Sequence, residues 1–400
     1  MSDFQYDVCV VGGCGHVGLP LALTFADSGL NVSIYDTNDE SVATVRGGKM
    51  PFRETGAQEL LEKTLAAKKL EVRNDPHLVS ASRQIIVVIG TPVDEHLNPT
   101  FYAMRRFFLH LVQYLRDGQL IVLRSTVYPG TTEKVDELIR EAGLKIHVAF
   151  CPERIAEGRA LEELRELPQI VSGCDPEAEQ QAADLFLRIA RKVVRLNPLE
   201  AELAKIITNS WRYIQFAAAN QFFMIAADHG LDFYRLYDAL THEYPRMAGM
   251  PGSGFAAGPC LFKDTMQLAA ANNNNFQLGH AAMLINEGLP NFIVRHLRQQ
   301  YELHDHSVGI LGMAYKAESD DPRSSLSYKL RKILEYEAKE VLCADEYVAD
   351  PRLIPAEELV QRADIVILGA PHKRYRSLNI PEGKPVIDVW NYFGKGVCLP

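Results

Sequence analysis

The sequence predicts an α/β protein with an N-terminal parallel sheet, a central domain built around one long helix, and a C-terminal α/β domain. Three observations predict this plan. Short β-branched runs alternate with helical stretches in the first half, helical sequence continues from residue 198 to about residue 300, and the alternation resumes after residue 306. Because 400 residues exceed what one hydrophobic core usually organises, we expect three domains, covering residues 1–196, 197–300 and 301–400.

The predicted strands are short runs rich in valine and isoleucine, bounded by glycine or polar residues. In the N-terminal domain they cover 8–11, 32–35, 85–89, 120–123 and 146–150. In the C-terminal domain they cover 308–311, 340–343, 365–368 and 386–389. Helical sequence separates the strands, so the N-terminal set is expected to form a parallel sheet wrapped by helices and the C-terminal set a second α/β domain.

The long helix has start and stop signals at residues 198 and 229. Asn197, Pro198 and Glu200 fit the N-cap, the first helical position and the capping-box acid, and Gly230 is a C-terminal stop. Apolar residues occupy more than one side of this helix, so a single domain surface is not expected to bury all of them. We therefore predict a homodimer with residues 198–229 at its centre.

Charge and composition exclude several classes of partner. The net charge is −9 and no Lys/Arg-rich run is present, so nucleic acid is not an expected partner. The N-terminus lacks a basic segment followed by an apolar one, and the apolar runs are too short to span a bilayer, so we expect a cytoplasmic protein without a membrane partner. Seven scattered cysteines contain no Cys-x-x-Cys pair, so neither structural disulfides nor a metal site is expected.

A glycine fingerprint follows the first predicted strand. Gly13-x-Gly15-x-x-Gly18 has the spacing that lets backbone N–H groups at a helix N-terminus bind a pyrophosphate, and its turn includes His16 and Val17. Asp36 ends the second predicted strand, where an acid binds the ribose 2′-hydroxyl and repels a 2′-phosphate. This pattern predicts a Rossmann-like domain that binds NAD rather than NADP.

Two further strand ends lie where ligands gather in such sheets, outside the carboxyl edge. They place Thr91 and Thr126 as candidates for the edge of the cofactor site.

Most of the chemistry-bearing residues lie in the central domain. Lys205 and Asn209 share one face of the long helix and are suited to donate hydrogen bonds to an oxygen that gains negative charge. Cys260 follows a run of small residues and is suited to act as a nucleophile once a nearby cation or helix N-terminus favours its thiolate. Asp264 and Glu153 are candidates for proton transfer.

Seven ordered motifs together resemble the UDP-glucose/GDP-mannose dehydrogenase family of nucleotide-sugar 6-dehydrogenases over essentially the full length. The motifs are the glycine fingerprint, Gly90-Thr91-Pro92-Val93-Asp94, Ser125-Thr126-Val127-x-Pro129-Gly130, Pro152-Glu153-Arg154-x-Ala156-Glu157-Gly158, Glu202-x-x-Lys205-x-x-x-Asn209, Cys260-x-x-Lys263-Asp264, and Gly312-Met313-Ala314-Tyr315-Lys316 followed by Asp320-Asp321-x-Arg323-x-Ser325.

The resemblance implies a reaction and a role for each motif. It implies an NAD-dependent four-electron oxidation of a nucleotide-diphosphate sugar to the uronic acid, with the nucleotide on a C-terminal Rossmann-like domain. The catalytic residues it implies are Cys260 as thioester nucleophile, Lys205 and Asn209 as oxyanion donors, and Asp264, Thr126 and Glu153 in water activation and proton transfer. The substrate contacts it implies are Glu153, Arg154, Glu157, Lys205, Asn209, Arg246 and Lys316; Lys263 and Arg323 would reach NAD.

Two departures from the family pattern are visible. Pro259 precedes the nucleophile where the family usually has serine or histidine, which removes an N–H group and a side-chain donor. Arg246 resembles an arginine that reaches the neighbouring subunit's site, but its spacing to Cys260 is shorter than in the glucose enzymes.

Two other functions stay open on the sequence. One is a two-electron β-hydroxyacid dehydrogenase, which also joins a Rossmann domain to a helical domain with a Lys-x-x-x-Asn pair. The other is a catalytically silent sensor of NAD or a nucleotide sugar. The sugar is open as well, among UDP-glucose, UDP-N-acetylglucosamine, UDP-N-acetylmannosamine and GDP-mannose.

Overall fold

The computed structural model describes residues 4–90 and 101–394. Packing divides the chain into two compact units, Met1–Ile207 and Thr208–Pro400. The long central helix begins in the first unit and ends in the second. No helix in the described part of the chain is both long enough and apolar enough to cross a membrane.

The first unit is a mostly parallel sheet covered by helices. Its strands are β1 (Tyr6–Val11), β2 (Val32–Tyr35), β3 (Leu70–Arg73), β4 (Ser82–Val87), β5 (Leu120–Leu123), β6 (His147–Phe150), β7 (Gln169–Gly173) and β8 (Val193–Arg195). They lie in the order β3-β2-β1-β4-β5-β6-β7-β8, and only β6 and β7 pair antiparallel among the described strands. The predicted N-terminal parallel sheet is therefore confirmed, with three additional strands.

Two apolar layers pack on the faces of this sheet. Along β1, Val8 and Val10 belong to one buried cluster and Cys9 and Val11 to the other, as the alternation of side chains along a strand requires. The helices that supply these layers are α1 (Gly18–Asp27), α2 (Asp39–Arg46), α3 (Ala57–Ala66), α4 (His77–Ser80), α5 (Phe101–Leu111), α6 (Thr131–Glu141), α7 (Ala160–Glu166) and α8 (Pro176–Phe186), with a short 3₁₀ turn at Val112–Tyr114.

Helix α9 (Pro198–Asp228) begins and ends where its signals predict. The Asn197 side chain accepts from the Glu200 N–H at 2.9 Å, and the Glu200 carboxylate accepts from the Asn197 N–H at 2.9 Å. Gly230 has φ +67° and follows the last turn, where the Leu231 N–H donates to the Ala226 carbonyl. The capping box and the glycine stop are both confirmed.

The second unit carries the remaining helices and a parallel sheet of four strands among the described residues. The helices are α10 (Phe233–Thr241), α11 (Leu261–Ala271), α12 (Gln277–Gln300), α13 (Leu326–Glu337) and α14 (Ala356–Arg362), with 3₁₀ turns at Pro245–Met247, Leu303–Asp305 and Lys373–Ser377. The strands are β9 (Ser307–Leu311), β10 (Glu340–Ala344), β11 (Ile365–Leu368) and β12 (Val386–Ile387), in the order β10-β9-β11-β12. The predicted α/β layer after residue 306 is confirmed.

Candidate active site

The glycine loop joins β1 to α1 and is shaped by close backbone packing. A Cβ on Gly18 would lie 2.6 Å from the Gly13 Cα, and one on Gly13 would lie 2.8 Å from the Ile34 side chain. Only glycine therefore lets helix α1 approach the sheet this closely. A Cβ on Gly15, by contrast, would meet no described atom within 4 Å, so this glycine borders open space.

The N-terminus of α1 is free of a side-chain cap. Val17 occupies the N-cap position, contributes no capping hydrogen bond, and is followed by a first turn without an acidic residue. Backbone N–H groups at such an end attract anions. The neighbouring His16 ring packs on Phe52 with 4.0 Å between ring centroids.

Asp36 lies directly after β2 and contacts the glycine loop between β1 and α1. Its carboxylate accepts from the Cys14 N–H at 2.9 Å and from the Asn38 N–H at 3.0 Å. Burial and the nearby Asp36 charge raise the pKa of the Cys14 thiol to about 12. Cys14 therefore stays a neutral thiol in the turn, and the half-buried Asp36 supplies the negative charge.

Thr126 and Glu153 follow the neighbouring strands β5 and β6. The Thr126 side chain is half-buried, whereas Glu153 is buried in an ion pair with the fully buried Arg124, whose Nε donates to it at 2.9 Å. The other Glu153 oxygen accepts from the Arg154 and Ile155 N–H groups at 2.7 and 3.0 Å. Glu153 thus shapes the loop that follows it, and its role in proton transfer stays a prediction.

The loop of residues 154–158 is anchored through its backbone. Glu163 accepts from the Ala156 N–H at 2.6 Å, and Glu54 accepts from the Gly158 and Ala160 N–H groups, each at 2.8 Å. Glu157 on this loop is half-buried.

Arg154 at the start of this loop donates to the Pro168 carbonyl, and burial lowers the pKa of its guanidinium.

Lys205 lies on the first turns of α9, one turn beyond Glu202. The Glu202 carboxylate is buried and accepts from the Gly130 N–H at 2.5 Å and from the N–H and hydroxyl of Thr132 at 2.8 and 2.5 Å. Burial raises the pKa of this carboxyl against the opposing effect of those donors. Glu202 thereby fixes the start of α9 against the segment that contains Thr126, and the half-buried Lys205 stands beside it.

Asn209 and Asp264 meet in the second unit. The buried Asn209 amide donates to Asp264 Oδ2 at 2.6 Å, and the Asp264 side chain is fully buried. Asp264 Oδ1 accepts no hydrogen bond from any residue that the structure describes, and it lies 3.4 Å from the Lys263 ammonium. The structure therefore brings three residues of the predicted site together, with a carboxylate oxygen available to a small polar group.

Cys260 occupies the N-cap of α11, and its side chain is exposed. Its carbonyl accepts from the Asp264 N–H at 2.8 Å, one turn into the helix. The positive end of the helix dipole at this position favours an anionic thiolate. An accessible sulfur and a buried carboxylate thus share the first turn of one helix.

Close packing holds the loop that leads to Cys260. Asn220 on α9 accepts from the Gly254 N–H at 2.9 Å and donates to the Gly254 carbonyl at 3.0 Å, and its amide also donates to Asn286. Gly258 has φ +105°, and a Cβ there would lie 2.6 Å from the Tyr315 ring. The loop is therefore clamped at Gly254 and again two residues before Cys260.

The remaining predicted residues lie on the surface of the second unit. Lys316 lies over the Tyr315 ring at 5.4 Å, and Arg323 forms a bidentate pair with Asp321 at 2.6–2.9 Å. Arg246 is exposed and donates to the Tyr244 hydroxyl at 3.1 Å. Thr91 lies outside the described residues, so its assignment stays a prediction.

Family models match almost the whole chain in three successive segments. The UDP-glucose/GDP-mannose dehydrogenase NAD binding domain matches residues 6–190, the central domain 199–288 and the UDP binding domain 309–395. The chain belongs to the UDP-glucose/GDP-mannose dehydrogenase family. It is an NAD-dependent nucleotide-sugar dehydrogenase, and this family membership displaces the β-hydroxyacid alternative.

Relatives with the same domain plan cover nearly all of this dehydrogenase. A UDP-N-acetyl-D-mannosamine dehydrogenase from Pyrococcus horikoshii is 30% identical over 92% of this chain and 90% of its own. The solved structure from that organism has a TM-score of 0.87 at 29% identity, covering 93% of this chain and 91% of its own. A UDP-glucose dehydrogenase structure from Pyrobaculum islandicum also has a TM-score of 0.87, at 26% identity, covering 97% of this chain and 94% of its own.

The first unit of this dehydrogenase fits NAD. The open space at Gly15, the uncapped start of α1 and the half-buried Asp36 carboxylate fit a pyrophosphate and a ribose in the order that the sequence predicts. The predictions for Gly13, Gly15, Gly18 and Asp36 are thus consistent with this geometry.

Sequence reasoning missed several residues that support the site of this dehydrogenase. Arg124, Glu54 and Asn220 hold loops through contacts with residues that are 29 to 106 positions away. A signal was present only for Arg124 and Asn220, because each is polar within an otherwise apolar strand end or helix. Glu54 lies in a polar loop, where the sequence does not distinguish a structural glutamate from an ordinary surface glutamate.

Proposed function

We propose that this dehydrogenase oxidises the C6 hydroxyl of a UDP-hexose or UDP-N-acetylhexosamine to the carboxylate, through a thioester on Cys260. The observation that carries the proposal is an exposed thiol at the N-cap of α11 with the buried Asp264 carboxylate one turn away. Support for an N-acetylated sugar comes from the relatives named UDP-N-acetyl-D-mannosamine dehydrogenase.

The reaction balances as two oxidations and one hydrolysis. The alcohol loses a hydride and a proton to become an aldehyde, and the Cys260 thiolate adds to the aldehyde carbon to form a thiohemiacetal. Loss of a second hydride and the hydroxyl proton gives a thioester, and water then releases the carboxylate and the thiol. NAD, when bound, accepts the hydride in each oxidation, so two NADH are formed per sugar.

The other residues of the proposal stabilise charge or move protons. Lys205 and Asn209 donate to the oxygen that becomes negative when the thiolate or water adds. Asp264, held by Asn209 at 2.6 Å, accepts the proton of the attacking water through its second oxygen, to which none of the described residues donates a hydrogen bond. The assignments of Thr126 and Glu153 to proton transfer and of Arg154, Glu157, Arg246, Lys316, Lys263 and Arg323 to ligand contacts are retained as proposals.

A homodimer through α9 is also part of the proposal. Its support is the row of exposed apolar side chains on this helix, including Ile207, Trp211 and Phe222 at 52%, 59% and 48% exposure. Such a row is typical of a protein interface.

The stoichiometry of NADH tests the reaction. NADH formed per sugar consumed is measured on UDP-glucose, UDP-N-acetylglucosamine, UDP-N-acetylmannosamine and GDP-mannose, with the product mass checked for a carboxylate. We expect two NADH and an acid from one of the UDP-sugars. One NADH with a carbonyl product would contradict the thioester route, and no turnover on any sugar would favour a silent sensor.

Cys260→Ser tests the nucleophile. We expect loss of steady acid formation by at least about 10³-fold with NADH binding retained, because a serine hydroxyl without a base is a weak nucleophile. Cys174→Ser is the matched control, since burial raises the pKa of the half-buried Cys174 thiol to about 12 and keeps it protonated. A Cys260→Ser enzyme with normal turnover would rule out the thioester.

A further inference from the structure

Three loops at the carboxyl edge of the C-terminal sheet converge on one buried pair, Asp345 and His372. Gly312 follows β9, Asp345 follows β10, and His372 lies shortly after β11. The side chains of Asp345 and His372 have no exposed area, and His372 Nε2 lies 3.1 Å from Asp345 Oδ2. Ligands of open α/β sheets bind outside this edge, so the pair lies directly beneath the expected nucleotide site.

Asp345 bonds to the backbone of two loops. One oxygen accepts from the Met313 and Ala314 N–H groups at 2.6 and 2.9 Å, and the other accepts from the Tyr347 and Val348 N–H groups at 2.7 and 3.0 Å. Although burial opposes it, the bond to His372 and these donors lower the pKa of Asp345 to about 2. Asp345 is therefore a carboxylate at every physiological pH, with no oxygen left for a ligand.

The bonds of His372 define its tautomer. The Glu318 N–H donates to His372 Nδ1 at 2.9 Å, so Nδ1 carries no proton and Nε2 carries the proton donated to Asp345. The ring also contacts Tyr347 and Tyr375 edge-on, at 4.9 and 5.3 Å between ring centroids. His372 thus connects the loop after β9 to the loop after β10 through two different nitrogens.

The first unit contains a related arrangement with a different outcome. There, Asp36 follows the second strand and accepts from the Cys14 N–H in the loop after the first strand, but it remains half-buried and open to a ribose. In the C-terminal sheet, His372 covers the equivalent acid. The C-terminal sheet therefore cannot bind a ribose through Asp345, and the segment that the pair holds is the candidate for its nucleotide contacts.

That segment, residues 312–324, bears the predicted substrate contact and touches the nucleophile's loop. It includes Lys316 and the Tyr315 ring that packs on Gly258, two residues before Cys260. Glu318 has φ +57°, a conformation that L-residues adopt at a cost and that a surrounding structure must impose. Two hydrogen bonds hold Glu318 here: its N–H donates to His372 Nδ1 at 2.9 Å, and its carboxylate accepts from the Lys373 N–H at 2.7 Å. Of the two, only the bond to His372 acts on the Glu318 backbone.

We propose that His372 is a positioning residue, whose Nδ1 holds the 312–324 segment in the conformation that binds the diphosphate of the nucleotide sugar. The inference rests on the proposed function, since the ligand is the nucleotide part of that substrate. Residues that never touch the ligand set its affinity in this way by removing the need to order a loop on binding.

Two substitutions separate the bonds of His372. His372→Asn keeps an acceptor at the position of Nδ1 and loses the donor to Asp345, whereas His372→Gln keeps a donor that reaches Asp345 and loses the acceptor for Glu318. Both variants replace the ring, so both are expected to lower the thermal unfolding midpoint. Only His372→Gln removes the hydrogen bond of the Glu318 N–H, and both variants keep the bond from the Lys373 N–H to the Glu318 carboxylate.

Calorimetric titration with UDP and steady-state kinetics with the best UDP-sugar test the proposal on the full chain. We expect His372→Gln to raise the Kd for UDP and the KM for the sugar about ten-fold, the size of one lost buried hydrogen bond, with Kd for NADH unchanged. His372→Asn should stay within about three-fold of the wild type.

The outcomes distinguish this proposal from the proposed function. If both folded variants bind UDP as the wild type does, or if His372→Asn loses as much affinity as His372→Gln, the Glu318 bond does not position the segment. If the wild type itself binds no UDP and oxidises no UDP-sugar, the proposed function fails instead.

Discussion

Several carboxylate side chains in this protein accept hydrogen bonds from backbone N–H groups, independently of any ligand. Asp36 holds the Cys14 N–H, Glu202 holds Gly130 and Thr132, and Asp345 holds four N–H groups of two loops. A carboxylate with several such donors is stabilised as the anion and fixes the loop in return. Asp36 is the one of these three whose remaining exposure suits a ligand.

Asp36→Ala should weaken NAD binding and reduce the preference over NADP. The variant loses a charged acceptor for the ribose hydroxyls and the repulsion of a 2′-phosphate, so we expect the Kd for NADH to rise about 10- to 100-fold. Fluorescence titration with NADH and NADPH measures both effects. Asp39→Ala removes a nearby exposed acid as a control, and an unchanged NADH affinity in Asp36→Ala would defeat the assignment.

The loop from Gly252 to Cys260 is an element defined by contacts rather than by a repeating pattern. Asn220 binds both backbone groups of Gly254, the Trp390 ring lies where a Cβ on Gly254 would stand, and Tyr315 occupies that place at Gly258. Glycine is required at these points because of both φ and close approach. The loop thereby delivers Cys260 to the start of α11 in one conformation.

Gly258→Ala should displace the nucleophile while leaving the cofactor site intact. A methyl group 2.6 Å from the Tyr315 ring at φ +105° forces the loop to shift, so we expect kcat to fall about 10- to 100-fold with NADH affinity unchanged. Gly288→Ala, inside α12 with open space around its Cβ, is the matched control and should stabilise the chain by about 0.5–1 kcal/mol. Normal kcat in Gly258→Ala would show that the loop tolerates the shift.

Across the whole molecule, α9 leaves apolar surface without a partner in the described chain. Trp211 is 59% exposed on this helix. A tryptophan at the surface of a monomer leaves much of its large apolar area in water, whereas a protein interface would bury it. A second copy of the chain is the occupant that the proposal assigns to this surface.

Trp211→Glu should convert the dimer to a monomer. Burying a charge in an apolar interface without a partner costs several kcal/mol, whereas an exposed position tolerates it in the monomer. Light scattering after size-exclusion chromatography should give twice 44.8 kDa for the wild type and 44.8 kDa for the variant. Tyr336→Glu, at a side chain that is 91% exposed on α13, should keep the wild-type mass. A wild-type monomer would refute the dimer.

Local signals in the sequence were sufficient for much of the fold. The cap and stop of α9, the glycine loop after β1 and the strands 32–35, 120–123 and 365–368 depend on residues within a few positions of one another. Three strands were missed. Strands β3, β7 and β8 have three to five residues each, and β7 pairs antiparallel with β6 although residues 151–168, including helix α7, lie between the two strands.

The sequence by itself determined the alternation of strands and helices and the cofactor loop, and it proposed Cys260 as the nucleophile, because each depends on a short window of residue types. The tertiary structure alone decided which groups support them. Asn209 meets Asp264 across 55 positions, Glu54 meets Ala160 across 106, and Glu318 meets His372 across 54. Hydrogen bonds between such distant residues depend on how the elements pack. The local sequence around each partner therefore carries no signal for them.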